Sequence, residues 1–260
     1  MTQPDGATPV RVETLEHGAL WRVCLATPRA NVLDTAKIEL LAGVFERAAA
    51  AHDLKAMLLD ADGPNFSFGA SVEEHLPPKF KTLIPQFHGL LYRMLDASVV
   101  TLAAVRGQCL GGGLELASFC QRVFAAPDAK LGQPEIALGV IAPAASVLLA
   151  GRIGRGPAED LCLSGRSIDA AEAHRLGLVD EIAPDPTEAA RAYFRQHLLP
   201  RSASSLRLAS RALREGFGRR LREDLGRVER MYLDELMSTR DAEEGLRAFL
   251  EKRPPRWSDG

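Results

Sequence analysis

An α/β fold follows from three features of this 260-residue chain. Residues 99–105 form a nearly unbroken apolar run, the pattern of a strand buried on both faces. Strand-like segments alternate with segments of helical period as far as about residue 140, which calls for strands joined by right-handed crossovers. From Ala142 onward the periodicity is almost wholly helical, with residues 178–182 the one extended segment. Pro184 and Pro186 then mark a boundary, giving a core over residues 10–184 and a region of three or more helices over residues 185–260.

Each element has its own local signal. Residues 10–15 and 20–26 cluster apolar side chains around Glu16-His17-Gly18, the sequence of a hairpin turn. Asp34 is placed to cap a helix in which Ile38, Leu41, Phe45 and Ala48 recur on one face. A short buried strand over 55–61 stops at Asp62-Gly63-Pro64. The loop Phe66-Ser67-Phe68-Gly69-Ala70-Ser71 leads into a polar helical turn that Pro77-Pro78 breaks. Residues 80–96 have helical period despite Pro85, and the strand over 99–105 passes through Arg106-Gly107 into a triple glycine and a small-residue helix over 114–120. A further strand over 122–126 precedes a turn at Gln133-Pro134-Glu135.

Composition removes several function classes. The net charge of -2 gives no basic footprint for nucleic acid, and the arginines between 207 and 222 are interleaved with acids, as on a solvated helix face or a subunit contact. Residues 1–9 are polar and unpatterned, and no apolar run has the length of a membrane span, which points to a cytoplasmic protein. Cys24, Cys109, Cys120 and Cys162 have neither metal-ligand nor disulfide-scaffold spacing. His75, His88, His174 and His197 lack the paired spacing of a metal site, so no metal is expected. No lysine followed by serine or threonine closes the glycine run, as a phosphate loop requires, and no serine-nucleophile motif occurs.

What remains is a repeated juxtaposition of bare backbone and carboxylate. Gly111-Gly112-Gly113-Leu114-Glu115 is followed, twenty positions after Glu115, by the glutamate of Gly132-Gln133-Pro134-Glu135. Glycine lets a ligand approach peptide N–H groups, and at a helix start those groups have no internal partner and carry partial positive charge. They suit a developing oxyanion, while glutamates held among apolar neighbours suit proton transfer. Two such carboxylates close together resist joint ionisation, so one is expected to hold a proton. The residues also admit a purely structural account: a glycine run for close helix–strand crossing, and glutamates as ordinary helix-start and turn charges.

The stretches FSFGAS (66–71), AAVRGQCLGGGLELA (103–117), KLGQPEIALGVI (130–141) and SGRSIDAAEAHRLGLVDEIAP (164–184) resemble the crotonase, or enoyl-CoA hydratase/isomerase, superfamily from about Val10 to Trp257. The resemblance implies a spiral of β-β-α units with a C-terminal helical trimerisation region, assembled as a homotrimer or homohexamer. It implies an acyl-coenzyme A thioester as substrate, coenzyme A being part of that substrate and no separate cofactor being needed. The oxyanion amides map onto Ala70 and Gly112, and the acid–base pair onto Glu115, on the water side, and Glu135, on the carbon side.

SVEEHLP, IPQFH and GQPEIALGVIAPAAS further resemble the group acting on cyclohexa-1,5-diene-1-carbonyl-CoA in anaerobic aromatic degradation. Phe68, Ser71 and Pro143 depart from ordinary enoyl-CoA hydratases and are expected to line a pocket for a flat ring. Phe249 and Lys252 are expected to reach coenzyme A. A hydratase or isomerase of linear thioesters and a non-catalytic acyl-CoA-binding subunit are the alternatives.

Overall fold

The computed structural model describes residues 8–27 and 29–260. Its main sheet runs β1 (Val10–Leu15), β2 (Leu20–Leu25), β3 (Ala56–Ala61), β4 (Val100–Val105), β6 (Arg122–Ala125), β9 (Glu181–Ile182) in spatial order. Only β1 and β2 are antiparallel; every later neighbour is parallel. A small second sheet joins β5 (Gln108–Leu110), β7 (Lys130–Gly132) and β8 (Ser167–Asp169).

The central strands β3, β4 and β6 are buried on both faces, which is why they read as nearly continuous apolar runs. In β3, Met57 and Leu59 join a core with Val23, Ala103, Val105 and Val123, while Ala56 and Leu58 join another with Leu20, Leu102 and Phe124. The first face is covered by α1 (Thr35–Ala50), α2 (Phe80–Ala97) and α3 (Gly112–Phe119). The second is covered by Ala190 of α7 (Pro186–Tyr193) and by Phe194 and Leu198 of the π-helical turn after it. Asp34 caps α1 as its position requires, accepting from Lys37 N at 2.8 Å. Pro85 sits inside α2 without ending it.

The remaining helices are α4 (Pro143–Ile153), α5 (Arg155–Ser164), α6 (Ala170–Leu176), α8 (Ala203–Arg230) and α9 (Arg240–Leu250). The arginines of α8 do more than face solvent. Arg207 donates to the carbonyls of Ala48, Ala51 and Ala97, satisfying the carboxyl ends of α1 and α2 together. Arg214 donates to Phe119 O and lies 4.7 Å from the centre of that ring.

The expected hairpin joins β1 to β2, with Glu16–Gly18 as a 3₁₀ turn in which Glu16 and His17 have positive φ. Two expectations need correction. Leu178 and Val179 are not extended; the strand there is only Glu181–Ile182. A second extended segment beyond Ala142, β8, pairs antiparallel with β7.

Candidate active site

The two loops that leave the carboxyl ends of β3 and β4 meet, as ligand-binding loops of parallel sheets do. Ser67 N donates to Gln108 O at 3.0 Å, and Leu110 N to Ser67 O at 2.9 Å, so the 66–71 loop is strapped alongside β5. Gly113 permits this: a Cβ there would lie 2.7 Å from that of Ser67. The structural account of the glycine run therefore holds for Gly113. Gly111 answers to something else. It has φ +51°, and a Cβ on it would strike the Glu135 carboxylate.

Ala70 and Gly112 lie side by side and line one cavity. A Cβ on Gly112 would lie 3.3 Å from Ala70 N. Gly112 opens α3, where an N–H has no intrahelical acceptor. Among the described residues, neither amide donates to a backbone or side-chain acceptor outside regular elements. Two neighbouring amides without an acceptor of their own suit a developing anion.

Glu115, one turn into α3, is 5% exposed and accepts from Ala145 N at 2.7 Å, at the amino end of α4. Glu135 stands in the 3₁₀ turn Pro134–Leu138. With the Gln133 amide assigned by its partners, Gln133 nitrogen donates to Glu135 Oε2 at 3.0 Å. Burial raises the pKa of Glu115 against the lowering effect of the Ala145 and Ala144 amides. Burial raises that of Glu135 too, and the charge of Glu115 raises it further. Among the described residues, no cation is bonded to either.

These groups surround two adjoining chambers. The outer, of about 50 Å³, is lined by Phe68, Ala70, Gly111, Pro134, Glu135 and several aliphatic side chains, among them Leu246 of α9. The inner, of about 20 Å³, is lined by Ala70, Gly112, Glu115, Glu135, Pro143 and, unexpectedly, both His75 and His88. Three larger depressions, of about 390 to 430 Å³, lie in arginine-rich surface grooves, none of which contains Glu115 or Glu135.

Of the residues singled out in the sequence, Ala70, Gly112, Glu115, Glu135 and Pro143 come together at the inner chamber, and Phe68 forms the mouth, 45% exposed. Ser71 does not line either chamber. Its hydroxyl accepts from Glu74 N at 3.3 Å and its carbonyl holds His75 Nδ1 at 2.8 Å, so it shapes the loop that carries His75. Phe249 and Lys252, at the end of α9, are outside both linings, and Phe249 is 55% exposed.

His75, His88 and Tyr232 are the polar residues that sequence reasoning missed. Their positions carry no shared spacing; the fold alone assembles them. Burial lowers the pKa of His75, which keeps its ring neutral. Tyr232 is fully buried edge-on to His75, and its hydroxyl has no partner among the described residues. Among those residues no group of three or more histidine, cysteine or acidic side chains is arranged to hold a metal ion, and no helix is long and apolar enough to cross a membrane.

A family model described as enoyl-CoA hydratase/isomerase matches residues 16–260. The chain is 51% identical over 255 residues to a cyclohexa-1,5-dienecarbonyl-CoA hydratase of Thauera aromatica, covering 98% of this chain and 99% of that one. The fold superposes on an enoyl-CoA hydratase of Mycobacterium avium subsp. paratuberculosis K-10 with a TM-score of 0.85 at 25% identity, covering 98% of this chain and 100% of that one. An enoyl-CoA hydratase/isomerase of Pseudoalteromonas atlantica T6c gives 0.86 at 25% identity, covering 96% and 100%.

Proposed function

Because the chain belongs to the enoyl-CoA hydratase/isomerase family, we propose that this hydro-lyase adds water to cyclohexa-1,5-diene-1-carbonyl-CoA and forms 6-hydroxycyclohex-1-ene-1-carbonyl-CoA. One observation carries the chemistry: two enclosed carboxylates, with no cation on them among the described residues, share a chamber with two amides that have no acceptor among those residues. The choice of ring rests on the relative that is 51% identical over nearly the whole chain.

The thioester oxygen takes the N–H groups of Ala70 and Gly112, which meet it as it gains charge. Removing one such donor typically costs about 10²–10³ in rate. Water attacks the β carbon while one carboxylate takes its proton. The electron pair moves through the ring into the thioester carbonyl. As the enolate collapses, a carboxyl group returns a proton to carbon at the far end of the conjugated system, leaving one double bond beside the carbonyl.

Glu115 suits the water side, since the Ala145 amide favours its charged form. Glu135 suits the carbon side, since burial and the charge of Glu115 both favour its protonated form. Phe68 and Pro143 supply apolar surface for a flat ring at opposite ends of the chambers. We assign Phe249 and Lys252 to the coenzyme A moiety, where an ammonium meets phosphate. We further read the 185–260 helices as the oligomerisation region of a cytoplasmic homotrimer or homohexamer. Exposed Leu208 and Leu213 on α8 support this reading.

The test is mass-spectrometric product analysis with cyclohexa-1,5-diene-1-carbonyl-CoA in isotopically labelled water, run beside crotonyl-CoA. Incorporation of one labelled oxygen into the cyclic product supports the reading; turnover of the linear thioester alone overturns the choice of ring.

A further inference from the structure

His88 has no part in the chemistry above, yet it is 1% exposed and shares the inner chamber with Glu115 and Glu135. Its Nδ1 lies 2.5 Å from Oε2 of Glu229, 141 positions away on α8. A carboxylate only accepts, so Nδ1 carries a proton, and in the neutral imidazole Nε2 is then the acceptor. The Glu229 carboxylate, bonded to a buried imidazole, fixes both the tautomer and the direction of that ring.

The inner chamber, at about 20 Å³, is the size of a single water. A water about to attack carbon has two hydrogens to place. Glu115 takes the one that leaves; the Glu135 carboxyl, protonated and already accepting from the Gln133 amide, is a weaker acceptor for the other than an imidazole nitrogen. His75 is the weaker candidate for it, because that ring also borders the outer chamber, on the acyl side, and no carboxylate anchors it.

We propose that the inner chamber is the station of the nucleophilic water and that His88, oriented by Glu229, is its third ligand, Nε2 accepting the hydrogen that stays with oxygen. This rests on the hydration reading and deepens it. Held at both hydrogens, the water presents its lone pair to the β carbon. No proton is transferred to His88: the O–H it accepts becomes the hydroxyl of the product.

The full-length protein is assayed with cyclohexa-1,5-diene-1-carbonyl-CoA as His88→Leu, His88→Gln and Glu229→Gln variants, with melting temperature measured on each. His88→Leu is expected to lower kcat by about 10²-fold, at the low end of what positioned proton-handling groups contribute, with KM moving less than about threefold. His88→Gln, whose side-chain oxygen still accepts, recovers part of that loss, and Glu229→Gln lowers kcat by about tenfold. A purely structural role would lower the melting temperature and gain nothing from His88→Gln. Unchanged kcat in His88→Leu, or a loss that glutamine does not relieve, overturns the proposal. Should the His88 variants not fold, Glu229→Gln decides, and an unchanged kcat there overturns it. A wild-type protein that hydrates neither thioester overturns the hydration reading instead.

Discussion

Two sets of enclosed carboxylates in this molecule have opposite surroundings. Asp60, fully buried at the end of β3, accepts from Arg22 at 2.7 Å and from Arg106 at 3.0 Å. It also accepts from Thr187 at 2.9 Å, which ties α7 to the sheet. Glu115 and Glu135 are enclosed beside one another with amide donors and, among the described residues, no cation. Burial costs a carboxylate its hydration in both places. Where arginines offset the cost, the group is a girder; where they do not, the group keeps a proton and becomes an acid or a base. Charge partners, rather than burial, separate architecture from chemistry here.

The sharpest break in this comparison is substitution at the unpaired site. Glu115→Gln or Glu135→Gln is expected to lower kcat by up to about 10⁴-fold, with binding of the product thioester retained when measured by calorimetry. A non-catalytic binding subunit would show no such loss. Asp60→Ala is expected to do the reverse, destabilising the fold by about 3–5 kcal/mol in urea melts by leaving arginines uncompensated, with kcat per folded molecule nearly unchanged.

Gly111→Ala sharpens the contrast, because its Cβ drives into the Glu135 carboxylate from a strained φ of +51°. We expect about 10²-fold lower kcat and a stability cost of about 1–3 kcal/mol.

The smallest expected effect concerns pH. Both glutamates have folded-state pKa values raised above the ordinary 4.5, so the folded state binds protons more tightly than the unfolded one. Their contribution to stability is therefore complete at low pH and is lost as pH rises from about 4.5 through the folded values. The Glu115→Gln/Glu135→Gln double variant should gain melting temperature over the wild type as pH is raised, while around pH 4 the two differ least.

The carboxylate pair was legible because glycine punctuation marks both members locally, and the buried strands were legible because both of their faces are apolar. The strands of the second sheet were not: β5, β7 and β8 have three residues each, too few to display a period. Asp60 looked like any residue of a short strand, since its partners come from positions 22, 106 and 187. Metal-ligand spacing is a local signal that His75 and His88 lack, whereas their association is tertiary. What a sequence hides here is long-range pairing of single polar residues.

The central claim is that the site keeps a shared proton because no cation compensates its two carboxylates. Difference infrared spectroscopy of the wild type at neutral pH, against Glu115→Gln and Glu135→Gln, tests it directly. The account predicts a protonated carboxyl band in the wild type that each single substitution removes or shifts; both glutamates fully ionised at that pH would contradict it.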